Sequence, residues 1–192
     1  KTGKELITAA GLDLQFEAYG GPFNEAQGAA LADLPMGEFW THTGGIDAKI
    51  PAAAAAAGRR IVGAEALTSL PENSKYTEDP AFLKPSALKG YVSGANRLIL
   101  HHWVHQPFDD RYQPGMGMGW WGTHFSRHQT WAEPGKAFFQ YLGRTQTLLQ
   151  YGERVADYLC LEVLRGPGDL ISRPDFLRQN IQVLNGKIVL ES

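Results

Sequence analysis

Two glutamates follow short, apolar, strand-like segments of this sequence. Glu65 ends the run Arg60–Glu65 (Arg-Ile-Val-Gly-Ala-Glu), and Glu38 lies near the end of Leu34–Trp40. In parallel α/β folds the chemistry sits at the C-terminal ends of the strands. We therefore predict that both carboxylates lie at strand ends along one edge of a sheet. A pair of carboxylates so placed is typical of a glycoside hydrolase, where one group protonates the leaving oxygen and the other activates water.

Glu17 is a third, weaker candidate, since it also lies near the end of a strand-like segment. It could contact a sugar or belong to a structural ion pair. Structural alternatives stay open for the other two carboxylates as well. Buried arginine or backbone donors could satisfy Glu65, and Glu38 could be a supporting partner of another site residue.

Histidines form a second group of candidates. His101, His102 and His105 cluster at the end of one strand-like segment, and His124 and His128 follow in the next loop. Strand alternation predicts opposite faces for His101 and His102, and the spacing lacks the helical His-x-x-x-His or mixed cysteine pattern of zinc sites. We predict instead that His102 and His105 donate or accept hydrogen bonds at sugar hydroxyls.

A glycine-rich loop carries two tryptophans. Residues Gly117–Gly122 read Gly-Met-Gly-Trp-Trp-Gly, which formally matches a dinucleotide-binding fingerprint but lacks a strand directly before it and a helix directly after it. Trp120 and Trp121 offer flat apolar faces suited to the C–H side of a sugar ring. We predict Trp120 as a substrate contact; a plug over the core is an equally consistent reading.

Composition limits the partners. The chain has 192 residues and a formal net charge of −2, which gives no electrostatic reason to expect nucleic acid. Its longest apolar run, Ala52–Ala57, is far shorter than the ~18 residues of a membrane span, and no signal-peptide pattern opens the sequence. We therefore expect binding by neutral chemistry, without nucleic acid or membrane as partner.

Strand-like and helical segments alternate, which predicts βα units and a parallel sheet. Four such units would make about half of a (β/α)8 TIM barrel of ~250 residues. We predict that residues 1–152 form the C-terminal part of that barrel. Residues 153–192 would begin a following α/β or β domain, in which Asn185-Gly186 signals a hairpin. The predicted segments are strands Leu12–Tyr19, Leu34–Trp40, Arg60–Glu65 and Arg97–Trp103, and helices Asn24–Leu31, Asp47–Ala57, Pro80–Ser93 and Pro134–Tyr151.

Several of these segments together resemble glycoside hydrolase family 106, the α-L-rhamnosidases, from about Leu12 to Asp157. The motifs are fairly specific in combination and order, and each alone would be weak. They are Tyr19-Gly20-Gly21-Pro22-Phe23, Asp33-Leu34-Pro35-Met36-Gly37-Glu38-Phe39-Trp40, Ala64-Glu65-Ala66-Leu67-Thr68, Gly94-Ala95-Asn96-Arg97, His105-Gln106-Pro107, Thr130-Trp131 and Tyr141-Leu142-Gly143-Arg144-Thr145-Gln146.

The resemblance implies a (β/α)8 enzyme that hydrolyses terminal L-rhamnosides with inversion and needs calcium near the sugar. It implies that Glu65 is the general base, that Glu38 belongs to the calcium and sugar site, and that the protein is periplasmic or secreted. The family's general acid would lie upstream of Lys1, so we expect this chain to be a fragment that is inactive alone. A β-galactosidase-like barrel hydrolase and a non-catalytic carbohydrate-binding remnant are the alternatives.

Overall fold

A four-stranded, wholly parallel sheet forms the centre of the molecule. The computed structural model describes residues 2–17, 19, 22–42, 54, 58–152, 158–160 and 181–183. The strands of this sheet lie side by side in chain order, and every neighbouring pair is parallel. They are β1 (Gln15–Glu17), β2 (Leu34–Trp40), β3 (Gly63–Thr68) and β4 (Arg97–Leu100).

Four helices of this part of the chain are α1 (Thr2–Ala9), α2 (Glu25–Leu31), α3 (Pro80–Val92) and α4 (Lys136–Tyr151). Two of them begin where the sequence supplies a cap. Asn24 Oδ1 accepts a hydrogen bond from the Gln27 amide at 2.9 Å, and Asp79 Oδ1 accepts one from the Phe82 amide at 2.8 Å. A side-chain oxygen at this position satisfies an amide that the first helical turn leaves free, so the predicted starts of α2 and α3 are confirmed to within a residue.

Helices α3 and α4 cover one face of the sheet. Phe39 from β2 and Ala64 and Ala66 from β3 lie in one buried core with side chains of both helices; the helix residues are Leu83, Ala87, Tyr91, Phe138 and Leu142. Because successive side chains of a strand point to opposite faces, Glu38 and Glu65 lie on the face that these two helices leave uncovered. Core packing thus decides the side on which the carboxylates stand.

An apolar layer lies beside those carboxylates on the same face. It is centred on Gly63, where an added Cβ would lie 2.6 Å from Met36 Cγ, 3.3 Å from Ile99 Cδ1 and 3.5 Å from Leu34 Cδ1. Glycine therefore leaves the space that these three side chains fill. Since Glu38 and Glu65 each follow a residue of this layer by two positions, the acidic side chains sit nearer the C-terminal ends of their strands.

Strand β2 has its predicted bounds, whereas β1, β3 and β4 differ from the predicted strands at their ends. β2 and β3 continue beyond their glutamates, β3 as far as Thr68, because Ala66 and Thr68 still pair with Phe39 and Trp40 across a register shift. The carboxylates therefore stand inside the strands and not at their last residues. β1 is shorter than Leu12–Tyr19, and β4 ends at Leu100, beyond which Trp103 forms only an isolated bridge with Phe125.

A long loop connects β4 to α4 and contains one short 3₁₀ helix, Asp110–Tyr112. Farther on, β5 (Tyr158–Cys160) and β6 (Ile181–Val183) form a two-stranded parallel sheet. Of the predicted helix Asp47–Ala57 only Ala54 is described, and the turn at Asn185-Gly186 lies outside the described residues; the division at residue 152 stays a prediction. No helix within the described ranges is long and apolar enough to cross a membrane.

Candidate active site

Three carboxylates lie on the uncovered face of the sheet. Glu38 is the register partner of Glu65 on the adjacent strand, and Glu17 is the partner of Met36, which precedes Glu38 by two residues on the same face. Neighbouring strands are ~4.8 Å apart. Strand pairing alone therefore brings together the three acidic residues predicted from the sequence.

Tyr19 joins two of these carboxylates. Its hydroxyl donates toward Glu17 Oε2 at 3.5 Å and also forms a hydrogen bond with Glu38. Burial, the hydrogen bond to Glu38 and the negative charges of the three glutamates raise the pKa of Tyr19 far above its usual value of 10.0. The phenol is therefore a hydrogen-bond donor at every physiological pH.

Glu65 is half-buried and in contact with a hydroxyl. Burial and the charge of Glu38 raise the pKa of the Glu65 carboxyl above its usual 4.5, and a hydrogen bond from Thr68 opposes that rise. Glu65 Oε1 lies 3.6 Å from Nδ1 of His101, and the same nitrogen lies 2.8 Å from Thr68 Oγ1. A carboxylate near apolar walls, with one hydroxyl to orient it, is suited to accept a proton from water.

His101 and His102 lie side by side, with ring centroids 5.0 Å apart. The prediction that they point to opposite faces is wrong, because β4 ends at Leu100 and strand alternation no longer governs them. Burial lowers the pKa of His101, against an opposing effect of the charge on Glu38. Burial and the neighbouring imidazoles of His101 and His124 lower the pKa of His102 to about 4. Both rings are therefore neutral near pH 7.

The glycine-rich loop packs directly on these histidines. Gly122 has a φ of 81°, and a Cβ built there would lie 2.5 Å from His101 Nδ1. The Gly122 amide donates to the Ser69 carbonyl at 2.9 Å. Only glycine fits both this backbone conformation and this close approach.

The two tryptophans of the loop occupy different positions and contact different residues. Trp120 remains exposed and lies 6.2 Å from the ring of His124, which in turn lies 5.2 Å from that of His102. Trp121 packs edge-on against Trp40 at 5.9 Å, and Trp40 stands on β2 two residues beyond Glu38. Trp121, which the sequence did not single out over Trp120, is thus the tryptophan that packs on the glutamate-bearing strand.

His105 lies apart from this group. Its side chain is exposed and lines a cavity of about 500 Å³ formed by loop residues 105–116, and none of the three carboxylates lines that cavity. The structure therefore brings Glu17, Glu38 and Glu65 together, places His102 beside them through His101, and sets His105 elsewhere.

No three acidic, histidine or cysteine side chains within the described residues converge closely enough to hold a metal ion by themselves. The carboxylate oxygens of Glu17, Glu38 and Glu65 are the donor type that calcium prefers. A calcium shell needs 6–8 oxygens, so these three carboxylates could supply only part of one.

Tyr19, Thr68, His101 and Trp40 were not assigned a role from the sequence. Tyr19 and Thr68 stand within motifs quoted above, two and three residues after a candidate glutamate. On a strand, a residue two positions on shares the glutamate's face, and this signal could have found Tyr19 and Trp40. Thr68 and His101 depend on the irregular ends of β3 and β4, which periodicity does not reveal.

Glu38 and Glu65 are register partners on adjacent strands, and most glycosidases act through a pair of Asp or Glu carboxylates. The sequence matches the profile of glycoside hydrolase family 106, described as alpha-L-rhamnosidase, over residues 19–163. The chain belongs to this family, and the resemblance drawn from its motifs is confirmed.

Two similar proteins are much longer. A protein of Formosa agariphila, provisionally named as a beta-glucuronidase, is 36% identical over 177 residues, which cover 90% of this chain and 15% of that protein. A solved structure of a rhamnosidase from Novosphingobium sp. PP1Y superposes with a TM-score of 0.74 at 29% identity, covering 83% of this chain and 16% of that one. The chain thus spans about one sixth of the length of these relatives.

Proposed function

We propose that this chain forms part of the catalytic domain of an inverting α-L-rhamnosidase, with Glu65 as the general base that activates water. The observation that carries the proposal is the registered pair Glu38 and Glu65 on the uncovered face of the sheet. The family match and the solved rhamnosidase agree with a glycosidase of this substrate class. The substrate is then a carbohydrate with a terminal L-rhamnose.

The topology supports a segment of a (β/α)8 barrel. Connections between parallel strands are nearly always right-handed, so strands laid down in chain order send their helices to the same side. Helices α3 and α4 both pack on that side, and the opposite face carries alternate layers of apolar and acidic side chains, as the inside of a barrel does.

Spacing assigns different tasks to the two paired glutamates. Inverting enzymes hold the acid and the base ~6.5–9.5 Å apart so that water fits beside the sugar, whereas registered positions on adjacent strands are only ~4.8 Å apart at Cα. Glu38 is therefore a poor general acid for a base at Glu65. In this proposal Glu38 binds the sugar and a calcium ion, and the general acid comes from outside this chain.

A calcium ion would supply positive charge and direct coordination of sugar hydroxyls when bound. Glu38 would hold the calcium ion. Glu17, which also lies near Tyr19, is the second carboxylate beside this position. The chain's own contribution is to keep these oxygens together: the single hydroxyl proton of Tyr19 lies between Glu17 and Glu38, and the phenol remains protonated.

The beta-glucuronidase name of the Formosa relative raises a second candidate, a uronic acid substrate. Charge argues against it in this chain. The charge of Glu38 already raises the pKa of Glu65, the glutamates raise that of Tyr19, and a glucuronide would add a further carboxylate. L-Rhamnose is a neutral 6-deoxy sugar whose methyl group suits the apolar faces of Trp40 and Trp121.

The test is Glu65→Gln in a full-length enzyme that carries this sequence, with an aryl α-L-rhamnoside as substrate. The amide keeps the shape but cannot take the proton from water, so we expect kcat to fall about 10²–10⁴-fold with little change in rhamnose affinity. Azide should restore turnover, since it needs no base. Glu72→Gln, at an exposed position on the loop after β3, is the control. If Glu65→Gln keeps normal turnover of the aryl substrate and fails only on poor leaving groups, Glu65 is the acid; if it keeps both, the proposal fails.

A further inference from the structure

Residues 105–116, in the loop between β4 and α4, form a segment that closes on itself. The Met116 amide donates to the His105 carbonyl at 2.8 Å, so the two ends of the segment lie side by side. Within it, the two carboxylate oxygens of Asp109 accept hydrogen bonds from the Arg111 guanidinium at 2.8 to 3.1 Å. Compact loops whose ends adjoin in this way are frequently functional.

Further contacts hold the backbone of this closed loop in place. Arg127 donates to the carbonyl oxygens of Gln106 at 3.1 Å and Phe108 at 2.7 Å. At Gly115, whose φ is 94°, an added Cβ would clash with Gln106 Oε1 and lie 2.8 Å from Val104 Cγ1. Only glycine leaves room for the Gln106 side chain there. The loop surface is therefore preformed, which lowers the entropy cost of binding a ligand.

Large apolar side chains of the closed loop remain exposed around its cavity of about 500 Å³. Phe108 is 62% exposed, Tyr112 59% and Met116 66%. The two aromatic rings are tilted by 54°, with centroids 5.4 Å apart. The cavity volume falls within the ~300–1,000 Å³ of sites for small ligands, and exposed apolar groups gathered in one place indicate binding.

The charged side chains of this region cancel one another. Arg111 pairs with Asp109 at 2.8 Å, and Arg127 pairs with Asp110 at 3.3 Å. An ionic ligand therefore gains little net attraction here. The side-chain amide of Gln113 adds an uncharged hydrogen-bonding group to the lining. A neutral sugar suits this combination, because its C–H face packs on aromatic rings while its hydroxyls bind amides.

A smaller cavity lies between this one and the carboxylates. Its volume is about 50 Å³, it shares Gly115 with the larger cavity, and Trp120 and His124 line it. The His124 ring lies 5.2 Å from that of His102, one of the two histidines beside Glu65. Contacting side chains thus lead from the proposed base to the large cavity, which lies along one path for the part of a substrate beyond its terminal sugar.

We propose that the cavity of residues 105–116 binds the neutral glycan to which the terminal rhamnose is attached, with Phe108 and Tyr112 packing against one of its sugar rings. This inference rests on the proposed function, because it places the leaving part of the same substrate. The cavity then favours rhamnose at the end of an oligosaccharide over rhamnose on a small aglycone.

Binding of rhamnose-free sugars to the 192-residue chain tests the cavity without any reaction. Amide spectra are titrated with three neutral disaccharides, cellobiose, lactose and mannobiose, and with acidic digalacturonate. We expect at least one neutral disaccharide to shift amides of residues 105–116. Phe108→Ala and Tyr112→Ala should each raise its Kd about 3- to 10-fold, the size of one lost aromatic contact.

Both substituted side chains are exposed, so the variants should fold normally. Tyr151→Ala, at an exposed aromatic residue of α4, is the matched control and should leave the Kd unchanged. Shifts in residues 105–116 with none of the neutral disaccharides, or tighter binding of digalacturonate than of all three, would overturn the proposal.

Kinetics of a full-length enzyme that carries this sequence test the role in substrate choice. The substrates are 4-nitrophenyl α-L-rhamnoside and an α-L-rhamnosyl-capped form of the disaccharide that binds. Phe108→Ala should raise KM for the capped disaccharide about 3- to 10-fold at unchanged kcat, because the contact is the same in ground and transition states. Both constants for the aryl rhamnoside should stay the same.

Three kinetic outcomes would contradict the proposal. One is an equal loss on both substrates, and another is an unchanged KM for the capped disaccharide. The third is a lower melting temperature of the full-length Phe108→Ala enzyme with unchanged KM, which would show that another part of the polypeptide covers the cavity. An unaltered enzyme without rhamnosidase activity would refute the proposed function, while disaccharide binding by the chain would still decide the cavity.

Discussion

The ionised state of Glu65, which the proposed mechanism needs, lowers the free energy of unfolding. Its pKa is raised because burial and the charge of Glu38 disfavour the carboxylate, and the hydrogen bond from Thr68 offsets only part of this. A group with a raised native pKa binds more protons in the native than in the unfolded state. The free energy of unfolding therefore decreases as the pH rises from the unfolded value of about 4.5 through the native pKa.

This linkage predicts that Glu65→Gln stabilises the chain at neutral pH. The amide cannot ionise, so the variant does not lose free energy of unfolding as the pH rises. Its melting temperature at pH 7 should exceed that of the unaltered chain by about 2–4 °C for each kcal/mol of free energy regained. The difference should shrink toward pH 4. Thermal unfolding by circular dichroism in calcium-free buffer measures it, with Glu72→Gln, on the loop after β3, as the control. The burial argument would be contradicted if the melting temperature of the variant, minus that of the unaltered chain, were lower at pH 7 than at pH 4.

At the scale of residues, the sequence predicted the acidic candidates better than their supports. Glu38 and Glu65 can be recognised in the sequence because a charged residue that follows an apolar run is unusual. Thr68 and Tyr19 are ordinary residues whose importance comes from the oxygen atoms that strand pairing brings near. The prediction for His105 rested on proximity in sequence to His101, and the end of β4 separates the two in space.

Among the elements, β2 and α3 show how closely a helix can approach this sheet. Gly90 of α3 lies over the ring of Phe39, and an added Cβ would come within 2.5 Å of that ring. Gly143 of α4 is exposed, and an added Cβ there would meet nothing within 4 Å. The same residue type is thus required for packing in one helix and carries only a helix-propensity cost in the other.

These two glycines make a matched pair for measurement. Gly90→Ala should destabilise the chain by about 1–3 kcal/mol, because the methyl group forces apart the helix and the strand that carries Glu38. Gly143→Ala should stabilise it by about 0.5–1 kcal/mol through the better helix propensity of alanine. Urea unfolding of both variants tests the contrast. Equal effects of the two substitutions would show that α3 does not approach β2 this closely.

Helices and central strands were predictable because each has a local signal. Asn24 and Asp79 cap their helices, and β2 was predicted with the bounds it has. The ends of β3 and β4 were not predictable. Leu67 has a positive φ of 61°, and the pairing shifts beside it. Such irregularity depends on the neighbouring strand and on the loop that packs over it, which a single segment does not encode.

For the whole molecule, the excess of acidic groups on the open face has a consequence for calcium. Calcium needs 6–8 oxygens, and within the described residues no group of three potential ligands is assembled. We predict that this chain binds calcium weakly, with a Kd of about 10⁻⁴ M or higher, while a full-length enzyme loses activity in excess chelator. Calorimetry on the chain, with Glu38→Gln as control, measures the first part. Tight binding by the chain, or full activity of the enzyme in chelator, would contradict the prediction.

The same charge should decide between neutral and acidic sugars. The carboxylates of Glu17, Glu38 and Glu65 share one face, and bringing a glucuronide carboxylate close to like charges is unfavourable. A full-length enzyme carrying this sequence should therefore hydrolyse 4-nitrophenyl α-L-rhamnoside with a kcat/KM at least about 10²-fold above that for 4-nitrophenyl β-D-glucuronide, since discrimination by repulsion of a few kcal/mol has that size. Both substrates release the same phenol, so leaving-group chemistry is matched. Raising the salt concentration should leave this ratio nearly unchanged, because half-buried charges are poorly screened. A preference for the glucuronide would contradict the proposed rhamnoside substrate. It would mean that a cationic group outside the described residues neutralises this face.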